Sequence, residues 1–153
     1  MALIDRNMYG LVEDRIRHRS ENIEKAKTQL DEARARAHTV SAAPMDPNGG
    51  SRGSGSGDRI ERAAISVVEA EKRLDLALRW DDCVRRLERI YGPNTPEGRV
   101  GSWIYSRGLT QADCCRIMKR DRKSIRRLQD AWIYNALLIA VEEGLISLKT
   151  GEL

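Results

Sequence analysis

The chain of 153 residues contains no Phe, and aromatic residues make up only 5% of it, so any core must be built from aliphatic side chains around three Trp and four Tyr. Cysteine is scarce and odd in number, with Cys114 and Cys115 adjacent and Cys83 apart. That excludes a disulfide scaffold and points to a reducing compartment. His18 and His38 lie far from the cysteines in sequence, so no zinc-ligand spacing exists and no metal is expected. No run of about 18 apolar residues is present to span a bilayer. The opening MALIDRNMYG lacks the basic n-region and long apolar stretch of a secretory leader. A cytoplasmic chain with no membrane partner is expected. The Gly-rich run GGSRGSGSG has no following Lys-Ser/Thr and no strand before it, so it is not a phosphate-binding loop. Asp81-Asp82 have no second carboxylate at catalytic spacing, and no His stands near a Cys to activate it. No enzyme and no cofactor is expected.

What is present is charge, unevenly placed. From Met1 to Gly98 there are 17 basic and 17 acidic residues, which cancel. From Arg99 to Leu128 nine basic residues face only Asp113 and Asp121, a local charge of +7 within an overall +4. So concentrated a field is the footprint of a polyanion-binding face.

The hydrophobic pattern predicts helices throughout and no strand. Tyr9, Ile16, Ile23, Leu30 and Ala37 recur every seven residues, Val12, Ala26 and Ala33 fill the intermediate position, and Arg19 is the one interruption. A narrow stripe of this kind, flanked by charge, predicts one long coiled-coil-like helix from about Asp5 to Ala37. Residues 41–57, SAAPMDPNGGSRGSGSG, hold two Pro, five Gly and four Ser and read as a flexible loop. Asp58 is placed to cap a second long helix, with Glu61 three residues on. Its stripe is Ile60, Ala63, Ala64, Val67, Ala70, Leu74, Ala77, Leu78 and Val84, and Gly92-Pro93 ends it. The expected domains are therefore a helical hairpin over residues 1–91 with loop 41–57, and a separate unit over residues 93–153. Whether the long helices pair within one chain or between chains is open, so a homo-oligomer through the hairpin is among the expected partners.

In the C-terminal third, Thr95 and Pro96 begin a helix whose inner face is Val100, Trp103 and Ile104. Thr110 caps a second helix through Met118, with Cys114, Ile117 and Met118 inward and a small residue at Cys115. A turn at Lys119 to Asp121 leads into a third helix, capped by Asp121, that buries Ile125 and Leu128 and turns Arg122, Lys123, Arg126 and Arg127 outward. This is the layout of a helix-turn-helix, whose second helix, here about 122–132, lies in the major groove. Arg can grip guanine O6 and N7 with two bonds, while Lys and Arg neutralise phosphates. The turn carries Lys119 and Arg120 where Gly and an apolar residue are usual. The Lys must take a positive φ at some cost, and the Arg must snorkel outward. The expected DNA-binding residues are Thr110, Gln111, Lys119, Arg120, Arg122, Lys123, Ser124, Arg126 and Arg127. The cysteines and Trp80, Trp103 and Trp132 are expected to be packed.

The stretch RVGSWIYSRGLT through TQADCCRIMKRDRKSIRRL resembles region 4 of bacterial sigma factors. With the preceding helical pair and its PMDPNGGSRGSGSGDRIERA connection, the chain is similar to small bacteriophage late-gene regulators of the RinA/ArpU kind. The resemblance implies an all-α transcription regulator that binds double-stranded promoter DNA in a bacterial host cell, with host RNA polymerase as a further partner. Thr110 and Gln111 would sit near the phosphate backbone, and Arg122, Lys123, Arg126 and Arg127 would be the readers. An antiterminator of the Q type, a small DNA-packaging (terminase) recognition subunit and a coiled-coil adaptor that binds no DNA are the alternatives.

Overall fold

A computed structural model describes residues 6–42 and 53–147. Among these residues the chain is all-helical, without strands: α1 (Arg6–Arg17), α2 (Arg19–Ala42), α3 (Gly53–Tyr91), α4 (Pro96–Tyr105), α5 (Gln111–Met118) and α6 (Arg122–Glu142).

Local chemistry places most of the helix ends where the sequence predicts them. Gly92 stops α3 with φ 70, and Gly108 and Gly144 follow α4 and α6 at φ 71 and 72, a left-handed turn that glycine enters without penalty. Thr95 caps α4 by accepting from the Gly98 N–H at 3.2 Å, with Pro96 at the first helical position. Two ends differ from expectation. The first long helix is broken at His18 into α1 and α2, at the place where Arg19 interrupts the stripe. The Gly/Ser segment is shorter than 41–57 as well. Residues 41 and 42 finish α2, residues 53–57 already belong to α3, and residues 43–52 lie outside the described residues. Asp58 is therefore inside α3 and not its cap. Lengthening an existing helix adds one hydrogen bond per residue with no new nucleus, so a long helix can carry a Gly/Ser turn at its end.

The chain divides into two compact units, Ser20–Leu78 on one hand and Met1–Arg19 with Arg79–Leu153 on the other. In the first, α2 packs on α3 through Leu30, Ala33 and Ala70, with Val67 and Leu74 alongside and an Arg34–Glu71 ion pair at 3.5 Å on the surface. Small Ala33 and Ala70 let the backbones approach. Ile60 and Leu78, expected in this stripe, are exposed, because they lie at its rim where the partner helix no longer reaches.

The second unit holds the larger core: Val12 and Ile16 of α1, Trp80, Cys83, Val84 and Leu87 of α3, Val100 and Ile104 of α4, Cys114 of α5, and Ile125, Trp132, Ile133 and Ala136 of α6. This corrects the expected boundary between residues 91 and 93. Gly92 does end α3, but the preceding three turns and all of α1 are part of the same core as α4–α6. Polar ties reinforce this. Arg86 pairs with Glu143 at 3.1 Å and with Glu142 at 3.3 Å, Tyr9 donates to Asp130 at 2.8 Å, and Asn135 donates to the Tyr91 hydroxyl at 2.5 Å. The expected packing of Trp80 and Trp132 holds, as both are buried, and Trp103 is half-buried against the core.

Candidate nucleic-acid interface

The segment from Thr110 to Leu128 is built around two caps and one unusual turn. The Thr110 hydroxyl accepts from the Asp113 N–H at 3.1 Å while the Asp113 carboxylate accepts from the Thr110 N–H at 3.0 Å, a reciprocal capping box. Asp121 caps α6 by accepting from the Ser124 N–H at 2.9 Å. Both carboxyls are held below the ordinary range, Asp113 chiefly by the Thr110 backbone N–H and Asp121 chiefly by hydrogen bonding to Ser124. Between the helices Lys119 takes φ 52 and ψ 46, the one positive φ at a non-glycine position among the described residues. Its N–H and that of Arg120 both turn back to the Cys115 carbonyl. This satisfies the end of α5 and reverses the chain within three residues.

Below this turn, Cys114 and Ile125 are fully buried and Met118 and Leu128 pack against the core. Ile117, expected inward, is instead 56% exposed. At about 100° per residue it lies roughly 100° from the face shared by Gln111, Cys114, Cys115 and Met118. Gln111 takes the inward place. It is half-buried, and its side-chain amide donates to the Gln129 carbonyl oxygen at 2.5 Å. Ser124 is also half-buried, in the first turn of α6. Thr110, Lys119, Arg120, Arg122, Lys123, Arg126 and Arg127 are all exposed. On α6 the four cations fall within an arc of about 140°, set away from Ile125, Trp132 and Ala136. Of the nearby acids, Asp121 serves as a cap, Asp113 is engaged by Thr110 and by an ion pair with Arg116, and Asp130, exposed within the same arc as the cations, accepts from the Tyr9 hydroxyl. The turn and α6 thus bring Lys119, Arg120, Arg122, Lys123, Arg126 and Arg127 together. Gln111 is drawn off to an internal contact, and Thr110 spends its hydroxyl on the cap.

Sequence reasoning missed two polar networks beneath this surface. Gln129 is 5% exposed and is the one buried polar residue among those described. It accepts from Gln111 and donates to the Tyr105 hydroxyl at 2.8 Å, which donates in turn to Glu13 at 2.9 Å. The Arg17 guanidinium lies over the Tyr105 ring, 5.3 Å from its centre. Burial, followed by the Gln129 contact that partly opposes it, leaves the Tyr105 phenol raised above its ordinary value. The relay joins α1, α4, α5 and α6, and fixes the start of α5 against the middle of α6. Arg19 makes the second network. Nearly buried, it donates to the carbonyls of Ile16 and Tyr105 at 2.9 Å each, to the Ser106 hydroxyl at 2.9 Å and to Asp81 at 3.2 Å. The signals were visible: Arg19 was the one break in the stripe, and Gln129 lies four residues from Ile125, in the inward register of α6.

An open cleft alongside is lined by Tyr9 and Arg17 of α1 and by Gln111, Arg126, Arg127 and Tyr134. Arg6 and Arg17 of α1 thus line the same cleft as Arg126 and Arg127 of α6, together with the acids Glu13 and Asp130. The cysteines are packing groups: Cys83 is buried, with its thiol pushed up to about 12 by desolvation, and burial also raises Cys114. Among the described residues no helix is long and apolar enough to cross a membrane, and no cluster of His, Cys, Asp and Glu could hold a metal ion. In comparisons with known protein families, curated proteins and solved structures, the chain matches none.

Proposed function

We propose that the chain is a sequence-specific DNA-binding transcription regulator, with α5 and α6 forming a sigma region 4-like helix-turn-helix and α2 and α3 a helical hairpin. The observation that carries this is the capped α5–turn–α6 unit, in which a left-handed Lys119 reverses the chain so that six cations share one exposed surface. Over residues 110–130 seven basic residues stand against Asp113, Asp121 and Asp130, so the surface keeps a net charge of +4 toward a polyanion. On this reading Arg122, Lys123, Arg126 and Arg127 of α6 enter the major groove, and Lys119 and Arg120 at the turn meet phosphates. Gln111 acts as a positioning residue, since its amide is already bonded to Gln129. If the sequence resemblance to phage late-gene regulators of the RinA/ArpU kind holds, the regulator is an activator with host RNA polymerase as its further partner in a bacterial cell.

The test is fluorescence anisotropy with duplex DNA over a range of salt. Binding should weaken steeply as salt rises, with a log–log slope of about −0.9 for each phosphate neutralised. Replacing both Arg126 and Arg127 by Ala should abolish discrimination between selected and random duplexes and flatten that slope, with helicity unchanged because both residues are exposed. A parent protein that binds no duplex even at low salt would overturn the proposal. So would a double variant that binds as tightly and selectively as the parent.

A further inference from the structure

α3 has a second apolar face that α2 does not cover. Ile65 is 50% exposed, Val68 49% and Leu76 40%. At about 100° per residue, Ile65, Glu69, Lys72 and Leu76 point within roughly 60° of one another, and Val68 borders them on one side. Their spacing of four, three and four residues is that of a helix–helix seam. All five lie within the unit Ser20–Leu78, on the side of α3 away from Val67, Ala70 and Leu74.

The chemistry along this seam reads apolar, acid, base, apolar, and so complements itself when reversed. We propose that the face is an isologous dimer interface, occupied by α3 of a second copy of this chain running antiparallel. With a two-fold axis level with the peptide between Ala70 and Glu71, Ile65 faces Leu76 of the second copy and Glu69 faces its Lys72. The same two contacts recur on the other side of the axis, as a two-fold interface requires. The two Val68 side chains lie on the same flank of the seam, about 7.5 Å apart along the helix axis. A parallel pairing is disfavoured, because it would set Glu69 against Glu69 and Lys72 against Lys72. Charge therefore selects both the orientation and the register. The apolar pairs lie at the two ends of the seam, about 16 Å apart along α3. So short a contact belongs to the weak end of specific interfaces, and association should depend on concentration. The inference does not rest on DNA binding. A chain that bound no DNA would dimerise the same way.

Sedimentation equilibrium on the full chain, from roughly 1 µM to 1 mM, tests it. The parent should pass from the 17.3 kDa of one chain to twice that mass, and no further. Glu69→Lys alone and Lys72→Glu alone each place like charges at both central contacts and should stay monomeric. Mixed in equal amounts, the two variants carry opposite charges across both contacts and should form a dimer together. The double exchange E69K/K72E should dimerise by itself. Circular dichroism should show helicity nearly unchanged, since the altered side chains are exposed and Glu69→Lys removes from α3 only the exposed Glu69–Arg73 pair at 3.9 Å. The proposal is overturned by a parent that stays monomeric throughout, by single variants that associate like the parent, by a mixture that stays monomeric, or by growth beyond two chains.

Discussion

Lys119 and Gly101 are two positions where the backbone decides which residue is tolerated, and they respond in opposite directions. Lys119 sits at φ 52, where an L side chain crowds the following carbonyl and costs roughly 1 kcal/mol or more relative to glycine. Lys119→Gly should therefore raise stability by about 1 kcal/mol, read as a higher denaturation midpoint. On the DNA-binding proposal it should weaken duplex affinity at the same time, because a cation leaves the turn. A variant that is both more stable and binds DNA as well as the parent would take Lys119 out of the interface. At Gly101 the constraint is space. A Cβ there would run into the indole of Trp132, which is fully buried and stacked on Tyr105 with ring centres 5.0 Å apart. The Trp132 Nε1–H is also the one buried side-chain polar group without a hydrogen-bond partner among the described residues. The ring is held there by packing, with nothing polar to guide it elsewhere. Gly101→Ala should cost about 1–3 kcal/mol through overpacking, checked by urea denaturation with tryptophan emission as the probe.

At the scale of elements, the caps govern the response of α5 and α6 to acid. Asp113 and Asp121 have folded-state pKa values below their unfolded ones, so the stability they add is present above the ordinary carboxylate range. It is lost as pH falls through the folded values. Asp121 is exposed and Asp113 half-buried at the surface, so the effect is local. As pH falls below the ordinary carboxylate range and through those lowered values, the amides of Asp113 and Ser124 should exchange with solvent faster, while those of buried Ile133 and Ala136 stay protected. Asp121→Asn, which still caps but does not titrate, should remove the effect at Ser124 alone. These caps were legible in the sequence, as were the glycine stops and the left-handed Lys119, because each is set by a few neighbouring residues. The break at His18 and the outward Ile117 were not legible. A seven-residue stripe shows which side of a helix is apolar, but not that Val12 and Ile16 serve one cluster while Leu30 and Ala33 serve another. Nor does it show that Arg19 fills the break by bonding the Ile16 and Tyr105 carbonyls. Within the candidate interface, the exposed cations were legible from charge alone. The inward turn of Gln111 was not, because its partner is eighteen residues away and lies on a different helix.

At the scale of the whole molecule, a division of the chain at Gly92 is good segment grammar but poor core anatomy. A helix stop marks where a backbone turns, whereas a folding unit is marked by which apolar surfaces are covered together. Val12, Ile16, Trp80, Cys83, Val84 and Leu87 all precede Gly92, and all are buried in one cluster with α4, α5 and α6. Removing them would bare their partners on α4 and α6, at about 1.5–3 kcal/mol for each large side chain uncovered. A domain holds only about 5–15 kcal/mol in total. A fragment of residues 93–153 should therefore show little cooperative helix and should aggregate, although it contains the whole basic surface. A fragment of residues 79–153 restores the last turns of α3 but still lacks α1. It should gain helicity and a sharp melting transition when a peptide of residues 1–19 is added, since that peptide supplies Val12, Ile16 and the Arg19 contacts to Asp81, Tyr105 and Ser106. Circular dichroism melts of each fragment, with and without the peptide, decide the matter. A monomeric 93–153 fragment that melts cooperatively by itself would show that α1 and the end of α3 are dispensable, and would return the boundary to Gly92.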